Sequence, residues 1–221
     1  MTPRDLAVHR CGQGDPVVLL HGFFSDHRFW DSILPALSQD FRCVAVDLPG
    51  HGASGSWRGN WSDLLVELNQ LLHTLAKPCH IIGYSMGARI LAQLLVQSGP
   101  PIETATLISP TPGFLPAAAR QRRLRDDQLA AQIQNQPLGQ SIEFWSQQPI
   151  FAGQKNSPAG ALNRQHVIRS SQVPRHLAFA LRALGSGTRA VTKPPVRGAS
   201  IRLLCGKRLS LDIQRARSLA Q

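Results

Sequence analysis

The chain has 221 residues, of which 43% are hydrophobic and 17% are charged, and its formal net charge is +11. This balance is typical of a globular domain and excludes a disordered or fibrous chain. No window approaches 18 consecutive apolar residues and the first residues form no secretory signal, so we expect a cytoplasmic protein without a membrane span. Four widely separated cysteines, without a zinc or thioredoxin spacing, are expected to be reduced thiols with a structural or incidental role: Cys11, Cys43, Cys79 and Cys205.

The positive charge is concentrated in the second half of the chain. Residues 1–119 carry a formal charge of −2, residues 120–221 carry +13, and 20 of the 24 basic residues are arginines. The planar guanidinium group binds carboxylates and phosphates through paired hydrogen bonds, so the asymmetry favours an anionic ligand or a nucleic acid. A solvated arginine-rich surface is the alternative.

Short apolar runs alternate with helical patterns along the chain. Five such runs predict strands, at 16–20, 41–46, 80–82, 104–108 and 200–204. Leucines at helical spacing predict a helix over 61–75, and another helix is predicted over 90–96. Short continuous strands separated by helices indicate a mostly parallel sheet covered on both faces, and therefore an α/β fold.

The segment from 110 to 196 interrupts this alternation. It is rich in Arg, Gln, Ala and Pro, lacks a strand pattern and contains several short amphipathic helical patterns. An insertion of this length between two core strands is typical of a cap or a partner-binding segment. We therefore predict a single domain over 1–221, with a core at 1–109, a helical cap at 110–196, and a core strand with the start of a helix at 197–221.

The sequence Gly-Tyr-Ser-Met-Gly at 83–87 lies where a predicted strand ends and a helix begins. This is the context of a G-x-S-x-G nucleophile elbow, in which small residues allow a sharp turn that exposes the serine hydroxyl. The start of the following helix offers backbone N–H groups to a developing anion. Ser85 is therefore the predicted catalytic residue, and an ordinary tight turn is the alternative.

Two further loops follow predicted strands. His-Gly-Phe at 21–23 occupies the place from which this architecture donates a second N–H to an oxyanion. We expect the N–H of Phe23 in that role and the side chain of His21 as a brace for the loop. Asp-Leu-Pro-Gly-His-Gly at 47–52 is a turn that we expect to hold its loop shape, with His51 outside the catalytic group.

Together these three motifs resemble the α/β-hydrolase superfamily over the first 110 residues. A narrower resemblance, to the 2-succinyl-6-hydroxy-2,4-cyclohexadiene-1-carboxylate synthases of menaquinone and phylloquinone biosynthesis, rests on five motifs. They are Gly-Tyr-Ser-Met-Gly-Ala-Arg at 83–89, Thr-Pro-Gly at 111–113, Arg-Gln-Arg-Arg at 120–123, Phe-Trp-Ser-Gln-Gln-Pro-Ile-Phe at 144–151 and Arg-Ser-Ser at 169–171.

This resemblance implies a lyase that eliminates pyruvate from 2-succinyl-5-enolpyruvyl-6-hydroxy-3-cyclohexene-1-carboxylate without a metal or an organic cofactor. It implies Ser85 as the base or proton relay, and the N–H groups of Phe23 and Met86 as the oxyanion hole. The implied substrate-binding residues, whose arginines would hold carboxylates, are His21, Gly22, Tyr84, Arg89, Arg123, Trp145 and Arg169. From the residues alone, Arg89 also fits a solvated helix surface, and Trp145 a packed cap core.

The family pattern is incomplete near the end of the sequence. An acid is expected after the strand at 200–204, yet Gly-Lys-Arg-Leu follows at 206–209 and the nearest carboxylate is Asp212. The histidine of a triad normally follows the acid, but the last histidine is His176, and it shares the expected cap with His166. We therefore expect a chain that lacks the last strand and helix, and an activity impaired by loss of the triad acid and histidine.

Alternatives from other classes stay open. A generic serine hydrolase would cleave simple aryl esters, and a catalytically inactive binding protein would bind carboxylates without turnover. A nucleic-acid-binding protein would show a steep salt dependence, but no recognition motif accompanies the basic residues. The expected partner is a small polycarboxylate, with no nucleic acid and no membrane, and the oligomeric state stays open.

Overall fold

The centre of the fold is a six-stranded, mostly parallel sheet. The computed structural model describes residues 5–75, 77–97, 102–111, 113–188 and 199–205. The strands are β1 (Val8–Cys11), β2 (Asp15–Leu20), β3 (Phe41–Val46), β4 (Cys79–Tyr84), β5 (Ile102–Ile108) and β6 (Ser200–Leu204). Their order in the sheet is β1-β3-β2-β4-β5-β6, and β1 is antiparallel to β3 while the other neighbouring pairs are parallel. This arrangement confirms the α/β prediction.

Helices follow the strands in two groups. Three lie between strands of the first half: α1 (Leu34–Leu37), α2 (Trp61–His73) and α3 (Met86–Leu94). Four lie between β5 and β6: α4 (Pro116–Asn135), α5 (Leu138–Ser146), α6 (Ala159–Ser170) and α7 (Pro174–Leu184). Short 3₁₀ segments are found at His27–Trp30, Gly52–Ser54 and Pro149–Asn156. Among the described residues, none of these helices is long and apolar enough to cross a bilayer.

Most differences from the predicted elements have a local cause. The strand β1 is absent from the predictions because its two central residues are exposed and it carries no apolar run. The helix predicted over 90–96 begins earlier, at Met86, because the turn at Ser85 is its N-terminal boundary. The helix α4 is 20 residues long, and not one of several short helices, since its Ala, Arg and Gln residues favour helix without marking a clear apolar stripe.

Local sequence explains why α2 forms between two strands. The side chain of Asn60 accepts the N–H groups of Ser62 and Asp63, and the Asp63 carboxylate accepts the N–H of Asn60 at 2.9 Å, which completes a capping box. Four of its five leucines, including Leu64 and Leu68, are buried in the main core. Burying one leucine side chain contributes about 1.5–3 kcal/mol, so this face fixes α2 on the sheet.

A second apolar cluster connects three of the later helices to the loop after β2. Phe24 lies on that loop, is 1% exposed, and packs with side chains of α4, α5 and α7. The other buried members of this cluster are Ala130, Ile133, Ile142, Leu177, Ala178 and Leu181. The three helices therefore pack at the carboxyl end of β2, and the division of the chain into core and cap stays a prediction.

Candidate active site

Ser85 lies on a strained turn between β4 and α3. Its backbone dihedral angles are φ 50° and ψ −103°, which residues other than glycine rarely adopt. The Ser85 N–H donates to the carbonyl oxygen of Ile108 at 2.9 Å, and the Arg89 N–H donates to the Ser85 carbonyl oxygen at 3.0 Å. The serine is thereby held between a strand end and a helix start, which is the geometry of a nucleophile elbow.

Two glycines make this turn possible. A Cβ atom on Gly83 would lie 2.6 Å from the carbonyl oxygen of Gly87, and one on Gly87 would overlap the carbonyl group of Leu20 in β2. The Gly87 N–H also donates to the carbonyl oxygen of His21 at 3.0 Å. The elbow therefore packs directly on the end of β2 and the loop that follows it, and only glycine leaves room for this contact.

The backbone N–H groups of Phe23 and Met86 are the expected oxyanion donors. Met86 is the first residue of α3, so its N–H has no acceptor within the helix. Neither N–H donates to a protein acceptor in the part of the chain that the structure describes. Both residues line the same cavity as Ser85, which suits the expected role, and the role itself stays a prediction.

His51 braces the loop that follows β2. Its ring is fully buried, its Nε2 accepts the N–H of Phe24 at 3.1 Å, and its Nδ1 lies 2.9 Å from the carbonyl oxygen of Pro49. These contacts require a neutral ring that carries its proton on Nδ1. Burial lowers the pKa of His51 to about 3, with a smaller contribution from the neighbouring His21 ring. His51 is therefore a neutral link between two loops.

His21 makes equivalent contacts and does not line the cavity. Its Nε2 accepts the N–H of Leu48 at 2.9 Å, and its Nδ1 lies 2.7 Å from the carbonyl oxygen of Gly22. Burial lowers the pKa of His21, so this ring is neutral as well. The side chain contacts backbone groups of two loops and does not line the cavity, so the substrate-binding role that the resemblance implied for His21 stays a prediction.

A cavity of about 290 Å³ opens beside the serine, close to the lower end of the range for small-molecule sites. Eight of the ten residues expected at the site line it: Gly22, Phe23, Tyr84, Ser85, Met86, Arg89, Trp145 and Arg169. The two that do not are His21 and Arg123. Residues far apart in sequence are thus brought around one space next to the elbow.

Arg89 brings a half-buried positive charge to this cavity. It lies one helical turn after Ser85, its Nε is buried, and no hydrogen-bond partner of Nε is found among the described residues. Burial, and to a lesser extent the charge of Arg122, lower the pKa of Arg89 to about 10, which leaves it cationic at neutral pH. Burying a cation without an acceptor is costly, so this site favours an anionic ligand. The alternative of a solvated surface arginine does not fit this burial.

Arg169 reaches the cavity from α6. Its Nη1 donates to the hydroxyl of Ser146 at 2.7 Å and its Nη2 donates to Oε1 of Gln165 at 3.2 Å. Its guanidinium carbon lies 5.7 Å from the ring centroid of Phe151. Burial lowers the pKa of Arg169. These neutral partners orient the group without neutralising its charge, so the charge remains available to a ligand.

Arg122 lines the cavity, whereas Arg123 is exposed. The Nε of Arg122 donates to Oδ1 of Asp126 at 2.8 Å, and both of these residues line the cavity. Consecutive residues of a helix point about 100° apart, so Arg122 and its neighbour face different surroundings. Of these two arginines, only Arg122 therefore lines the cavity, and the carboxylate-holding role that the resemblance implied for Arg123 stays a prediction.

Several further lining residues are absent from the expected site residues, and three of them are Asp126, Ser186 and Phe29. Asp126 is buried, and its Oδ2 accepts the N–H of Gly187 at 3.4 Å. The hydroxyl of Ser186 is buried without a hydrogen-bond partner in the described part of the chain. Phe29 stacks on Tyr84 with 4.9 Å between ring centroids. Arg122 lies four residues before Asp126, and this spacing could have predicted a pair on one helix face. No local sequence pattern predicts Ser186 or Phe29 at the cavity.

Aromatic rings form the apolar part of the cavity wall. The ring centroid of Trp145 lies 5.1 Å from that of Phe23 and 5.4 Å from that of Phe151. Trp145 packs against the cluster around Phe24 and also lines the cavity. A place in the packed core and a place at the cavity are therefore compatible for this residue. Burial raises the pKa of Tyr84, which keeps its hydroxyl protonated and able to donate a hydrogen bond.

The two histidines of the predicted cap do not line the cavity. His166 is exposed on α6, and His176 on α7 is half-buried, with its Nε2 accepting from Nε of Arg175 at 3.3 Å. Within the described residues no histidine lines the cavity. Asp212 and the segment 206–209 lie outside the described residues.

One cluster has side-chain donor atoms at metal-binding distances. One atom each from Asp26, His27 and Asp47 lie within 4.8 Å of one another. These groups are already engaged, because Asp26 accepts from Arg28 at 2.6 Å and Asp47 accepts from Nδ1 of His27 at 2.9 Å. We therefore assign the cluster a structural role, in which it ties the loop after β2 to the loop after β3.

Comparison with known proteins agrees with this architecture. Residues 17–219 match the model of the alpha/beta hydrolase family. The chain is 33% identical to the 2-succinyl-6-hydroxy-2,4-cyclohexadiene-1-carboxylate synthases of Salmonella newport (strain SL254) and Salmonella agona (strain SL483), with 97% of this chain and 85% of each relative covered.

Solved structures of other proteins have a similar fold. MenH from S. aureus has a TM-score of 0.86 at 25% identity, over 98% of this chain and 85% of that one. A thermophilic esterase from Thermogutta terrifontis has a TM-score of 0.69 at 20% identity, over 97% of this chain and 90% of that one, which is a likeness of fold alone. By its family match, its relatives and its elbow, the chain belongs to the alpha/beta hydrolase family.

Proposed function

We propose that this protein is a carbon–oxygen lyase that eliminates pyruvate from 2-succinyl-5-enolpyruvyl-6-hydroxy-3-cyclohexene-1-carboxylate in menaquinone or phylloquinone biosynthesis. The observation that carries the proposal is that three arginines share the cavity of Ser85: Arg89, Arg122 and Arg169. A substrate with several carboxylates supplies the negative charges that this wall lacks. The similarity to synthases named for the product of this reaction supports the same assignment.

The charge balance of the cavity favours a polyanion over a neutral ester. Three arginines face a single lining carboxylate, that of Asp126, which is paired with Arg122. Arg89 and Arg169 therefore bring two cations for which the described lining offers no paired carboxylate. Bidentate hydrogen bonds from guanidinium groups would bind and orient carboxylates, and orientation lowers the barrier of the chemical step.

The proposed reaction breaks one ring C–H bond and one C–O bond. The electrons of the C–H bond form a new ring C=C bond, and the electrons of the existing C=C bond shift towards the carbon that bears the enolpyruvyl group. The C–O bond at that carbon breaks, and the departing enolate takes up a proton to become pyruvate. Ser85 is the base or proton relay for the C–H proton. As this proton leaves, negative charge develops on the substrate carbonyl conjugated to that carbon, and the N–H groups of Phe23 and Met86 would stabilise it.

A serine hydroxyl must pass its proton to a stronger base, since it is weakly basic on its own. Asp212 is the first candidate, and it lies in the part of the sequence outside the described residues. His166 and His176 are poorer candidates, because neither lines the cavity. The proposed reaction uses no metal and no organic cofactor.

The test is pyruvate release from the enolpyruvyl substrate, followed with a coupled dehydrogenase. We expect release by the parent protein, a loss of about a thousandfold or more in Ser85→Ala, and no loss in Ser141→Ala. Ser141 is a matched control, since its buried hydroxyl has no partner in the described residues and does not line the cavity. A folded parent protein that releases no pyruvate would overturn the proposal.

A serine esterase is the second candidate, because the strained turn of Ser85 and the two N–H groups suit acyl transfer equally well. It predicts hydrolysis of aryl esters that needs Ser85 but is indifferent to Arg169→Met. Saturable carboxylate binding without any turnover, unchanged in Ser85→Ala, would instead favour a binding protein. The same two variants therefore separate all three functions.

A further inference from the structure

Cys11 and Cys43 lie directly opposite each other at one edge of the sheet. The register of β1 and β3 pairs these two residues. Side chains of directly paired residues in an antiparallel ladder point to the same face, and their Cα atoms are about 4.5–5.5 Å apart. Cys11 packs against the apolar cluster that contains Cys43, and both are reduced thiols.

The hydrogen-bonding pattern between β1 and β3 determines the distance between Cys11 and Cys43. The Asp47 N–H donates to the carbonyl oxygen of Ala7 at 2.9 Å, so these two residues form a hydrogen-bonded pair. The pattern repeats every two residues along each strand, and Cys11 and Cys43 lie four residues from Ala7 and Asp47. They therefore occupy a hydrogen-bonded pair, with a Cα separation of about 5.5 Å that falls within the range of disulfides. The Cβ separation of such a pair, about 5 Å, exceeds the roughly 3.8 Å of a relaxed disulfide, so a bridge here would be strained and easily reduced.

The two sulfur atoms differ in their surroundings. Cys11 is half-buried, whereas Cys43 is fully buried. Burial raises the pKa of the Cys43 thiol to about 11, and the charge and hydrogen bond of the adjacent Cys11 sulfur contribute to the rise. Cys11 is thus the sulfur that a solute meets first, and Cys43 is held against it as an un-ionised thiol.

We propose that Cys11 and Cys43 form a reversible oxidation site, which closes into a cross-strand disulfide on reaction with a peroxide. The Cys11 sulfur attacks hydrogen peroxide, so that an S–O bond forms, the O–O bond breaks, and water leaves behind a sulfenic acid. The Cys43 thiol then gives up its proton to the departing oxygen as its sulfur attacks the Cys11 sulfur. The S–S bond forms, the S–O bond breaks, and hydroxide departs with the Cys43 proton as water. Two electrons pass from the sulfurs to the peroxide, and a dithiol reverses the step.

The position of β1 allows the small movement that closure requires. Among the described strands β1 has a single neighbour, β3. It can therefore move closer to β3 without displacing another strand. It is followed by Gly12, whose φ of 76° begins the turn into β2. Neither cysteine lines the cavity, and this inference is independent of the proposed lyase function.

Peptide mapping tests the proposal on the intact protein. Trypsin cleaves after Arg10 and Arg42, so the two cysteines begin separate peptides, 11–28 and 43–58. After treatment of the folded protein with hydrogen peroxide and alkylation of the remaining thiols, we expect these two peptides joined, with two hydrogen atoms lost. The joined species should disappear with dithiothreitol. Cys79, in the peptide 59–89, serves as a buried control that stays unlinked.

Two variants isolate the individual steps. In Cys43→Ser the reaction should stop at the sulfenic acid of Cys11, which dimedone traps, and in Cys11→Ser neither the adduct nor the bridge should form. Circular dichroism before oxidation establishes that each variant is folded. Separately alkylated peptides from oxidised, folded parent protein would overturn the proposal, and so would bridges that link Cys11 only to a second molecule.

Discussion

Nε2 of His51 accepts the backbone N–H of Phe24 at 3.1 Å, which joins the loop after β3 to the loop after β2. Phe24 has a φ of 62°, a backbone conformation that costs a non-glycine residue about 1–3 kcal/mol. The hydrogen bond and the complete burial of the Phe24 side chain stabilise this conformation. Phe23 precedes it directly, so His51 fixes the direction of the expected oxyanion donor without touching a ligand.

Replacing His51 should therefore reduce turnover more than substrate binding. His51→Phe keeps a ring but leaves the Phe24 N–H without its acceptor, and we expect kcat for pyruvate release to fall about ten- to hundredfold with little change in KM. His51→Gln can present an amide oxygen near the position of Nε2 and should retain most of kcat. Steady-state kinetics of both variants measure the difference.

The control for this prediction is His73→Gln, because His73 is exposed at the end of α2 and its Nδ1 lies 2.7 Å from the carbonyl oxygen of Asn69 in the same helix. It should match the parent protein in kcat and KM. Equal losses in His51→Phe and His51→Gln, or a loss confined to KM, would argue against a positioning role for His51.

The same histidine predicts a pH dependence of stability. Burial lowers the pKa of His51 to about 3 from an ordinary value of 6.5. Between these pH values the unfolded chain binds a proton that the folded protein does not, so the free energy of unfolding decreases as the pH falls, by up to about 1.4 kcal/mol per pH unit for this group. Urea denaturation at pH 7 and pH 5 should give a smaller decrease for His51→Gln than for the parent protein. An equal decrease in both would show that His51 does not stay neutral in the folded protein.

The glycine at the elbow predicts a steric effect on folding. Gly87→Ala places a Cβ against the carbonyl group of Leu20, where both partners are backbone and neither can rotate away. We expect a loss of about 1–3 kcal/mol or more in the free energy of unfolding, together with loss of activity. Gly139→Ala is the matched control, since a Cβ there meets nothing within 4 Å and the site begins α5. A Gly87→Ala protein as stable as this control would contradict the packing of the elbow.

The sheet and the elbow were accessible from sequence because their signals are local. The apolar run at 41–46 and the strand–glycine–serine order at 83–87 each specify their own structure. The pairing of Cys11 with Cys43 was not accessible, since it depends on β1, whose exposed central residues hide the strand. Side-chain pairing across a sheet is set by register, which no single segment encodes.

Which arginine of α4 lines the cavity was inaccessible from sequence for a different reason. Arg-Gln-Arg-Arg at 120–123 offers three cations within four residues, and which of them faces the cavity depends on the rotation of α4 about its axis. That rotation is fixed by the buried residues Ala130 and Ile133, which pack in the cluster around Phe24. It therefore depends on contacts with the loop after β2, and not on the arginine-rich sequence itself.

Adjacent arginines on α4 give the sharpest test of this geometry. Arg122→Met removes a cavity cation that would pair with a substrate carboxylate, and we expect KM for the enolpyruvyl substrate to rise about ten- to hundredfold. Arg123 is the next residue and is exposed. Arg123→Met should therefore change KM less than twofold, because solvent screens the charge of an exposed side chain. Initial rates over a range of substrate concentrations measure both values under the same conditions.

The loss of Arg122 also leaves Asp126 buried without its cation, so the charge of the carboxylate could by itself repel the substrate. The double variant Arg122→Met, Asp126→Asn removes that repulsion and, if Arg122 binds the substrate directly, should keep most of the increase in KM. Full recovery of KM in the double variant would mean that Arg122 acts by neutralising Asp126. A larger effect in Arg123→Met than in Arg122→Met would reverse the assignment and place the helix α4 in a different rotation.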